Sequence, residues 1–199
     1  MSIEQSSSNA MKRICVFCGV NRGARPVYKQ AAEAMGAALS KRKLGLVYGG
    51  TSVGLMGTIA DAVLAQGGEV IGVIPESMMA IAHRGLTELR VVRSMHERKQ
   101  LMSDLSDGFL ALPGGFGTLE ELCEIATWSQ LALHRKPCGI LNIEGYYDGL
   151  LSLFNHAVRE RFLHPAPRDM ILEETDPDRI LDAISSHSPP TVAKLLDRD

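Results

Sequence analysis

A glycine-rich segment that leads into two carboxylates is the part of the sequence best suited to chemistry. An apolar stretch ends at Leu112, three glycines follow within five positions, and Thr118 precedes Glu120 and Glu121. Glycine lets a backbone approach a ligand closely. The N terminus of a helix offers free N–H groups and a partial positive charge, both of which suit a phosphate. The segment therefore predicts a phosphate site at Thr118.

Glu121 is the strongest candidate for a catalytic residue. It lies three positions after Thr118, so both side chains share one face in the first turns of the predicted helix. A protein that only binds a phosphate would lose affinity through repulsion from this carboxylate. The spacing thus predicts a phosphorylated sugar held at Thr118 and acted on at Glu121. The structural alternative is an acidic residue favoured by the helix dipole.

Residues 94–99 combine a helix-capping signal with two cations. Ser94 and Glu97 have the spacing of a capping box, which explains Glu97 without catalysis. Arg98 and Lys99 fall in the first turn of the predicted helix, where the dipole disfavours positive charge. An anionic ligand or a carboxylate partner explains these two cations better than solvent does.

A second glycine-rich segment, residues 49–57, also follows an apolar stretch and begins a helix. It does not match G-x-G-x-x-G, and no acidic residue follows at the ribose-binding distance, so an NAD site is not supported. The alternatives are a tight strand-to-helix turn and a ligand contact. We expect Gly50 to contact the ligand.

Short apolar stretches alternate with longer amphipathic ones along the whole chain. Strands are predicted at 13–17, 44–48, 69–74, 88–92, 108–112, 138–141 and 170–173, and helices at 26–42, 54–66, 95–105, 118–133, 147–161 and 177–186. Most strands are apolar on both sides of the pleat, which is typical of parallel strands covered on both faces. The sequence predicts a Rossmann-like, doubly wound α/β fold with a mostly parallel sheet of about seven strands, whose ligand lies beyond the carboxyl ends of the strands.

Composition is typical of one globular domain. The 199 residues are 45% hydrophobic and 22% charged, with a net charge of −2, so neither nucleic acid nor a membrane surface is expected as a partner. Residues 1–11 are polar and lack the features of a secretion signal. We therefore expect a disordered tail at 1–11, one nucleotide-monophosphate-binding domain at 12–186, a loose tail at 187–199, and a cytoplasmic location.

Cysteine and histidine spacing predicts neither a metal site nor a redox site. Cys15 and Cys18 form a C-x-x-C pair, but they lie within and just after a predicted strand, whereas a redox pair normally begins a helix. We expect buried, reduced thiols that behave as small apolar side chains. The six histidines have no metal-binding spacing. No cofactor is expected.

The sequence at residues 113–121, Pro-Gly-Gly-x-Gly-Thr-x-x-Glu, resembles the signature of the LOG ("lonely guy") family of cytokinin riboside 5′-monophosphate phosphoribohydrolases. Members of this family were often labelled possible lysine decarboxylases. Blocks at 16–19, 47–50, 54–57, 94–99 and 127–131 also match in order, so the resemblance extends from about 13 to 185. It implies hydrolysis of the N-glycosidic bond of a purine nucleoside 5′-monophosphate, without a cofactor, by a homodimer at least.

The resemblance also implies roles for individual residues. Arg98 and Glu121 would be catalytic. The implied substrate contacts are Met95, Lys99, Gly114, Gly115, Phe116, Gly117, Thr118 and Thr127. Glu121 would stabilise the positive charge that develops on the ribose, and Arg98, which does not readily lose a proton, would bind the base or orient Glu121.

The sequence leaves three alternatives to a cytokinin-specific enzyme for comparison. An AMP nucleosidase for purine salvage would use the same site, and a non-catalytic nucleotide-binding module is disfavoured by Glu121. Lysine decarboxylation has no supporting constellation of residues. The sequence departs from the family at Val20, where serine is usual, at Thr51, where many bacterial relatives have glycine, and near Ala80, where many relatives have a glutamate. These departures bear on the choice of base.

Overall fold

A single sheet of seven parallel strands forms the centre of the structure, a computed structural model that describes residues 11–187. The strands are β1 (Arg13–Phe17), β2 (Gly45–Tyr48), β3 (Val70–Pro75), β4 (Glu88–Val92), β5 (Gly108–Ala111), β6 (Cys138–Leu141) and β7 (Ile171–Glu174). Their order in the sheet is β4-β3-β2-β1-β5-β6-β7. The predicted doubly wound α/β fold is confirmed. The expected tails lie outside the described residues, apart from their inner ends at residues 11 and 187.

The described range contains seven α-helices, of which six lie between strands and the last follows β7. They are α1 (Pro26–Lys41), α2 (Gly54–Leu64), α3 (Met95–Asp104), α4 (Phe116–Gln130), α5 (Asp148–Arg159), α6 (Pro165–Asp169) and α7 (Pro177–Ser186). The sequence did not predict α6 or the 3₁₀ helices Glu76–Ile81 and Ile143–Gly145. Such short helices do not carry the amphipathic repeat from which a helix is recognised. None of the described helices has the length and apolar character needed to cross a bilayer.

Both faces of the sheet are covered, because consecutive strand residues point to opposite faces and most of them are apolar. In β1, Ile14 and Val16 pack into the layer formed with α1, α2 and α7, whereas Cys15 and Phe17 pack into the layer formed with α3 and α4. Helix α5 extends the second layer over β6 through Leu151. This two-sided burial explains the continuous apolar stretches in the sequence.

The centre of the sheet contains the point at which the chain reverses direction across it. Strand β1 pairs with β2 on one side and with β5 on the other, and Phe17 is in register with Ala111. Because ligands of doubly wound sheets bind in the crevice at such a point, the segments that follow β1 and β5 are brought together where a ligand is expected.

Hydrogen bonds fix the segment that follows β5. The Leu112 carbonyl accepts a bond from the Tyr147 hydroxyl at 2.7 Å, and the Gly114 carbonyl accepts one from Tyr146 at 2.5 Å. Between them, the Pro113 carbonyl accepts a bond from the Gly19 amide at 3.0 Å. In a trans peptide the N–H points opposite to the C=O of the same unit. The Gly114 and Gly115 amides, which follow the Pro113 and Gly114 carbonyls, are therefore directed away from the bonds that hold the segment.

We predict that Tyr147→Phe destabilises the fold. The variant leaves the buried Leu112 carbonyl without its hydroxyl donor, and an unsatisfied buried acceptor costs about 1–3 kcal/mol. Urea denaturation measures the free energy of unfolding. Tyr146→Phe is the matched control, because Tyr146 is 43% exposed and water can replace its hydroxyl. Equal losses in the two variants would contradict the prediction.

Candidate active site

A buried ion pair joins α3 to α4 beside the carboxyl ends of the strands. The Arg98 Nη1 atom donates to Glu121 Oε1 at 2.9 Å, and the two side chains are only 7% and 10% exposed. The Arg98 Nε atom donates to the Val73 carbonyl of β3 at 3.0 Å. The carboxylate partner that the sequence analysis offered as one explanation for Arg98 is therefore present.

Gly49 makes room for the Arg98 guanidinium. A Cβ atom at position 49 would lie 1.9 Å from Arg98 Nη2 and 2.2 Å from the methyl group of Met56. The next residue, Gly50, has φ +76°, a conformation that favours glycine. Of the two glycines that follow β2, Gly49 thus leaves space for the guanidinium and Gly50 allows the turn.

A cavity of about 240 Å³ opens at this edge of the sheet. Of the sequence-predicted site residues, it is lined by Met95, Arg98, Gly115, Phe116, Gly117, Thr118 and Glu121. It is also lined by Val16, Phe17, Cys18, Val20, Gly49, Met56, Met78 and Met102. Segments far apart in the sequence therefore meet around the Arg98–Glu121 pair.

The N terminus of α4 is free to receive an anion. Gly115 is the N-cap residue, and no side chain in the described part of the chain caps this helix. The first helical bond runs from the Leu119 amide to the Gly115 carbonyl. The Thr118 side chain is packed against Gly114, where a Cβ atom would lie 2.1 Å from Thr118 Oγ1. The amides of the first turn suit a phosphate.

Burial dominates the electrostatics of Glu121. It raises the pKa of the carboxyl above its ordinary value, while the charge and hydrogen bond of Arg98 oppose this shift and favour the ionised form. Burial likewise raises the pKa values of the Cys15 and Cys18 thiols, which face Glu121 and therefore stay protonated at neutral pH. The predicted burial of this C-x-x-C pair is confirmed, and both thiols are free.

Four predicted ligand contacts, Gly50, Lys99, Gly114 and Thr127, do not line this cavity. The Gly50 carbonyl accepts a bond from the His83 amide, and Thr127 Oγ1 donates to the Cys123 carbonyl on an exposed face of α4. The Lys99 ammonium binds Glu120 and Glu124 instead. Gly114 lies at the edge of an adjoining cavity of about 220 Å³, which shares Val20 and Gly115 with the first cavity.

Sequence reasoning missed Gly49 and the methionines that line the cavity, Met56, Met78 and Met102. Gly49 belongs to the glycine-rich segment 49–57, but the sequence analysis chose the next residue, Gly50, as the site residue. The methionines come from separate elements and have no motif. No group of histidines, cysteines and carboxylates suited to a metal occurs among residues 11–187.

The capping box at the start of α3 is formed only in part. Ser94 Oγ accepts a bond from the Glu97 amide at 3.1 Å, as the spacing predicts. The Glu97 carboxylate accepts from the Arg93 amide at 3.0 Å rather than from that of Ser94. Helix capping thus accounts for Glu97, although its carboxylate binds the amide of Arg93 and not that of Ser94, the next residue.

The doubly wound sheet with a cavity at its switch point defines the class of the protein, an α/β protein built to bind a small ligand. Residues 56–184 match the family model described as "Possible lysine decarboxylase". The chain belongs to this family, the LOG family of phosphoribohydrolases, and is an enzyme of the hydrolase class.

Two relatives illustrate this membership. The cytokinin riboside 5′-monophosphate phosphoribohydrolase of Rhodococcoides fascians is 53% identical over 178 residues, which cover 88% of this chain and 90% of the relative. An enzyme of the same name from Arabidopsis thaliana is 48% identical over 180 residues, which cover 89% of this chain and 84% of the relative.

Solved structures share the fold at low sequence identity. The molybdenum cofactor binding protein of Rippkaea orientalis aligns with a TM-score of 0.69 at 22% identity, over 90% of this chain and 98% of that chain. The structure of TM1055 aligns with a TM-score of 0.68 at 16% identity, over 89% of this chain and 100% of that chain. These likenesses concern the fold alone.

We predict that Gly49→Ala displaces the Arg98 guanidinium and weakens the fold. Overpacking of this kind costs about 1–3 kcal/mol, and urea denaturation measures it. Gly149→Ala, which meets open space at the start of α5, is the control and should be neutral or slightly stabilising. A Gly49→Ala protein as stable as the control would show that Arg98 has room to move.

Proposed function

We propose that this enzyme hydrolyses the N-glycosidic bond of a purine nucleoside 5′-monophosphate of the cytokinin type, releasing the free base and ribose 5-phosphate. One observation carries the proposal: the Glu121 carboxylate, held by Arg98, lines the same cavity as the uncapped N terminus of α4. A carboxylate and an anion site in one cavity suit a phosphorylated sugar.

The 5′-phosphate binds at the start of α4 in this proposal. The amides of Phe116, Gly117 and Thr118 and the hydroxyl of Thr118 supply hydrogen-bond donors, and the helix dipole favours the negative charge. A phosphate at this point directs the ribose towards Glu121, which lies one turn further along the same helix. Gly114 and Gly115 allow the backbone to come close to the phosphate.

Glu121 stabilises the positive charge that develops on C1′ and the ring oxygen as the glycosidic bond breaks. The bond electrons go to the purine nitrogen, which takes up a proton, and a water oxygen bonds to C1′ and gives up a proton. Arg98 Nη2 has no acceptor among the described residues. This free donor is available to the leaving base, while Nη1 holds Glu121.

The apolar lining supports a base with an apolar substituent. Met56, Met78, Met95 and Met102 all line the cavity, and methionine adapts its shape to irregular apolar ligands. The names of the relatives agree with a cytokinin nucleotide. AMP has the same glycosidic bond without the substituent and is the comparison substrate.

Incubation of the purified protein with AMP and with N6-isopentenyl-AMP, followed by chromatography, tests the proposal. We expect free base and ribose 5-phosphate from both, with faster release from the isopentenyl substrate. Faster release of adenine would favour purine salvage. Release from neither substrate would refute the proposed reaction.

We predict that Glu121→Gln lowers kcat by roughly 10²- to 10⁴-fold while nucleotide binding persists. The amide retains the shape of the side chain but not the charge that stabilises the cation. Base release measures kcat, and calorimetry measures binding. Glu33→Gln, on an exposed ion pair of α1, is the control and should remain fully active. A fully active Glu121→Gln enzyme would rule out this mechanism.

The activity should also depend on pH through Glu121. The ionised carboxylate is the active form, so kcat/KM falls as pH drops through its pKa. Because burial raises this pKa, the acid limb of the profile lies above the ordinary range of a glutamate. A profile that is flat down to the ordinary pKa of glutamate would exclude Glu121 as the group that titrates.

A further inference from the structure

We infer that Lys99 is a positioning residue that clamps α3 to α4 through Glu120 and Glu124 and thereby holds Glu121 against Arg98. The family resemblance implies that Lys99 binds substrate. The geometry points to a different role. The kinetic part of this inference rests on the proposed function, whereas its structural part does not.

The Lys99 ammonium is already hydrogen-bonded to two carboxylates. Its side chain is only 9% exposed, and Nζ donates to Glu120 and, at 3.0 Å, to Glu124 Oε1. Both acceptors belong to α4. Lys99 does not line the cavity that contains Arg98 and Glu121. A substrate would have to displace two carboxylates to reach this ammonium.

Three ion pairs join the same two helices: Arg98 forms one beside the cavity, and Lys99 forms two on the outer side. Arg98 and Lys99 are consecutive on α3, and their partners Glu121, Glu120 and Glu124 lie within two turns of α4. The backbones of α3 and α4 are otherwise not closely packed against each other. Side chains therefore link these helices directly: the ion pairs do so beside the cavity, and apolar side chains such as Met102 and Ile125 do so in the shared core.

Loss of the ammonium would leave negative charge uncompensated close to Glu121. Glu124 Oε2 is buried and has no hydrogen-bond partner among the described residues, so Lys99 is the charge partner that this carboxylate has. Buried or half-buried charges that lose a partner are costly. Such a loss would disturb both the spacing of the helices and the charge state of Glu121.

The groups that face Glu121 give the expected direction of the charge effect. Arg98 and Lys99 on α3 lower its pKa, Glu120 on α4 raises it, and the neutral thiols of Cys15 and Cys18 lie on the β1 side. Removing the Lys99 charge should raise the pKa of Glu121. Removing the Glu120 charge should lower it.

The test compares Lys99→Met with Lys99→Arg, and with Lys29→Met as the matched control. Lys29 forms an exposed pair with Glu33 on α1. We expect Lys99→Met to lower kcat roughly 10- to 100-fold, as small misplacements of catalytic groups do, with KM changed by less than about threefold. The acid limb of kcat/KM should move to higher pH. Lys99→Arg should restore most of the activity, and Lys29→Met should behave as the wild type.

The opposite result identifies Lys99 as a substrate contact. In that case Lys99→Met raises KM with kcat unchanged. Glu120→Gln is a second test of the charge effect. Because Glu120 raises the pKa of Glu121, its loss should move the acid limb of kcat/KM to lower pH. Acid limbs that shift in the same direction in Lys99→Met and Glu120→Gln would overturn the inference.

A thermodynamic cycle tests the clamp without any enzyme activity. The free energies of unfolding are measured for Lys99→Met, for Glu120→Gln with Glu124→Gln, and for all three changes together. Coupling between the two sides supports the clamp, and additive effects overturn it, whichever reaction the enzyme catalyses. Should Lys99→Met fail to fold, Lys99→Gln takes its place in both tests.

Discussion

The buried ion pair between Arg98 and Glu121 is the interaction on which the rest of the cavity depends. Charges taken out of water lose several kcal/mol of hydration each, and they persist only where good geometry and further hydrogen bonds compensate for that loss. The Val73 carbonyl binds the guanidinium from the sheet, and Glu121 binds it from α4. Gly49 contributes through the space it leaves. Either charge alone would be buried without a partner, which is costly. The stability of the fold therefore requires both residues, in addition to any requirement of catalysis.

The order of the strands explains why this pair lies beside the uncapped N terminus of α4. Strand β1 separates the segments that follow β2 and β5, so that Gly49 and Gly115 approach the same crevice from opposite sides. The segment after β5 could not serve this purpose if it were mobile. Its carbonyls bind Tyr146, Tyr147 and the Gly19 amide, which fixes the start of α4 relative to the sheet. The strands and the hydrogen-bonded turn thus place the first amides of α4 at the cavity, where no side chain of the described residues caps them.

Local signals predicted the fold better than they predicted the partners of each side chain. Strands 13–17, 88–92 and 138–141 were predicted at their observed limits, because a short apolar stretch is a local property of the sequence. Thr118 and Glu121 were also found from spacing on one helix. The partners of Lys99 lie more than twenty positions away on another helix, and the cavity methionines come from separate elements. No short pattern records such tertiary contacts, so Lys99 was assigned to substrate by resemblance alone.

A phosphate and the Glu121 carboxylate share one cavity in the proposed complex, and their repulsion limits how the site can be built. Two unit charges about 6 Å apart repel by roughly 3 kcal/mol at an effective dielectric constant near 20. A helix N terminus stabilises a nearby anion by only about 0.3–2 kcal/mol. The dipole of α4 is therefore too weak to make the two anions compatible. Arg98 supplies the missing positive charge, and it does so at a point where Val73 prevents it from turning away from the carboxylate. In the proposed complex, the arginine thus allows one cavity to combine phosphate binding with a catalytic carboxylate.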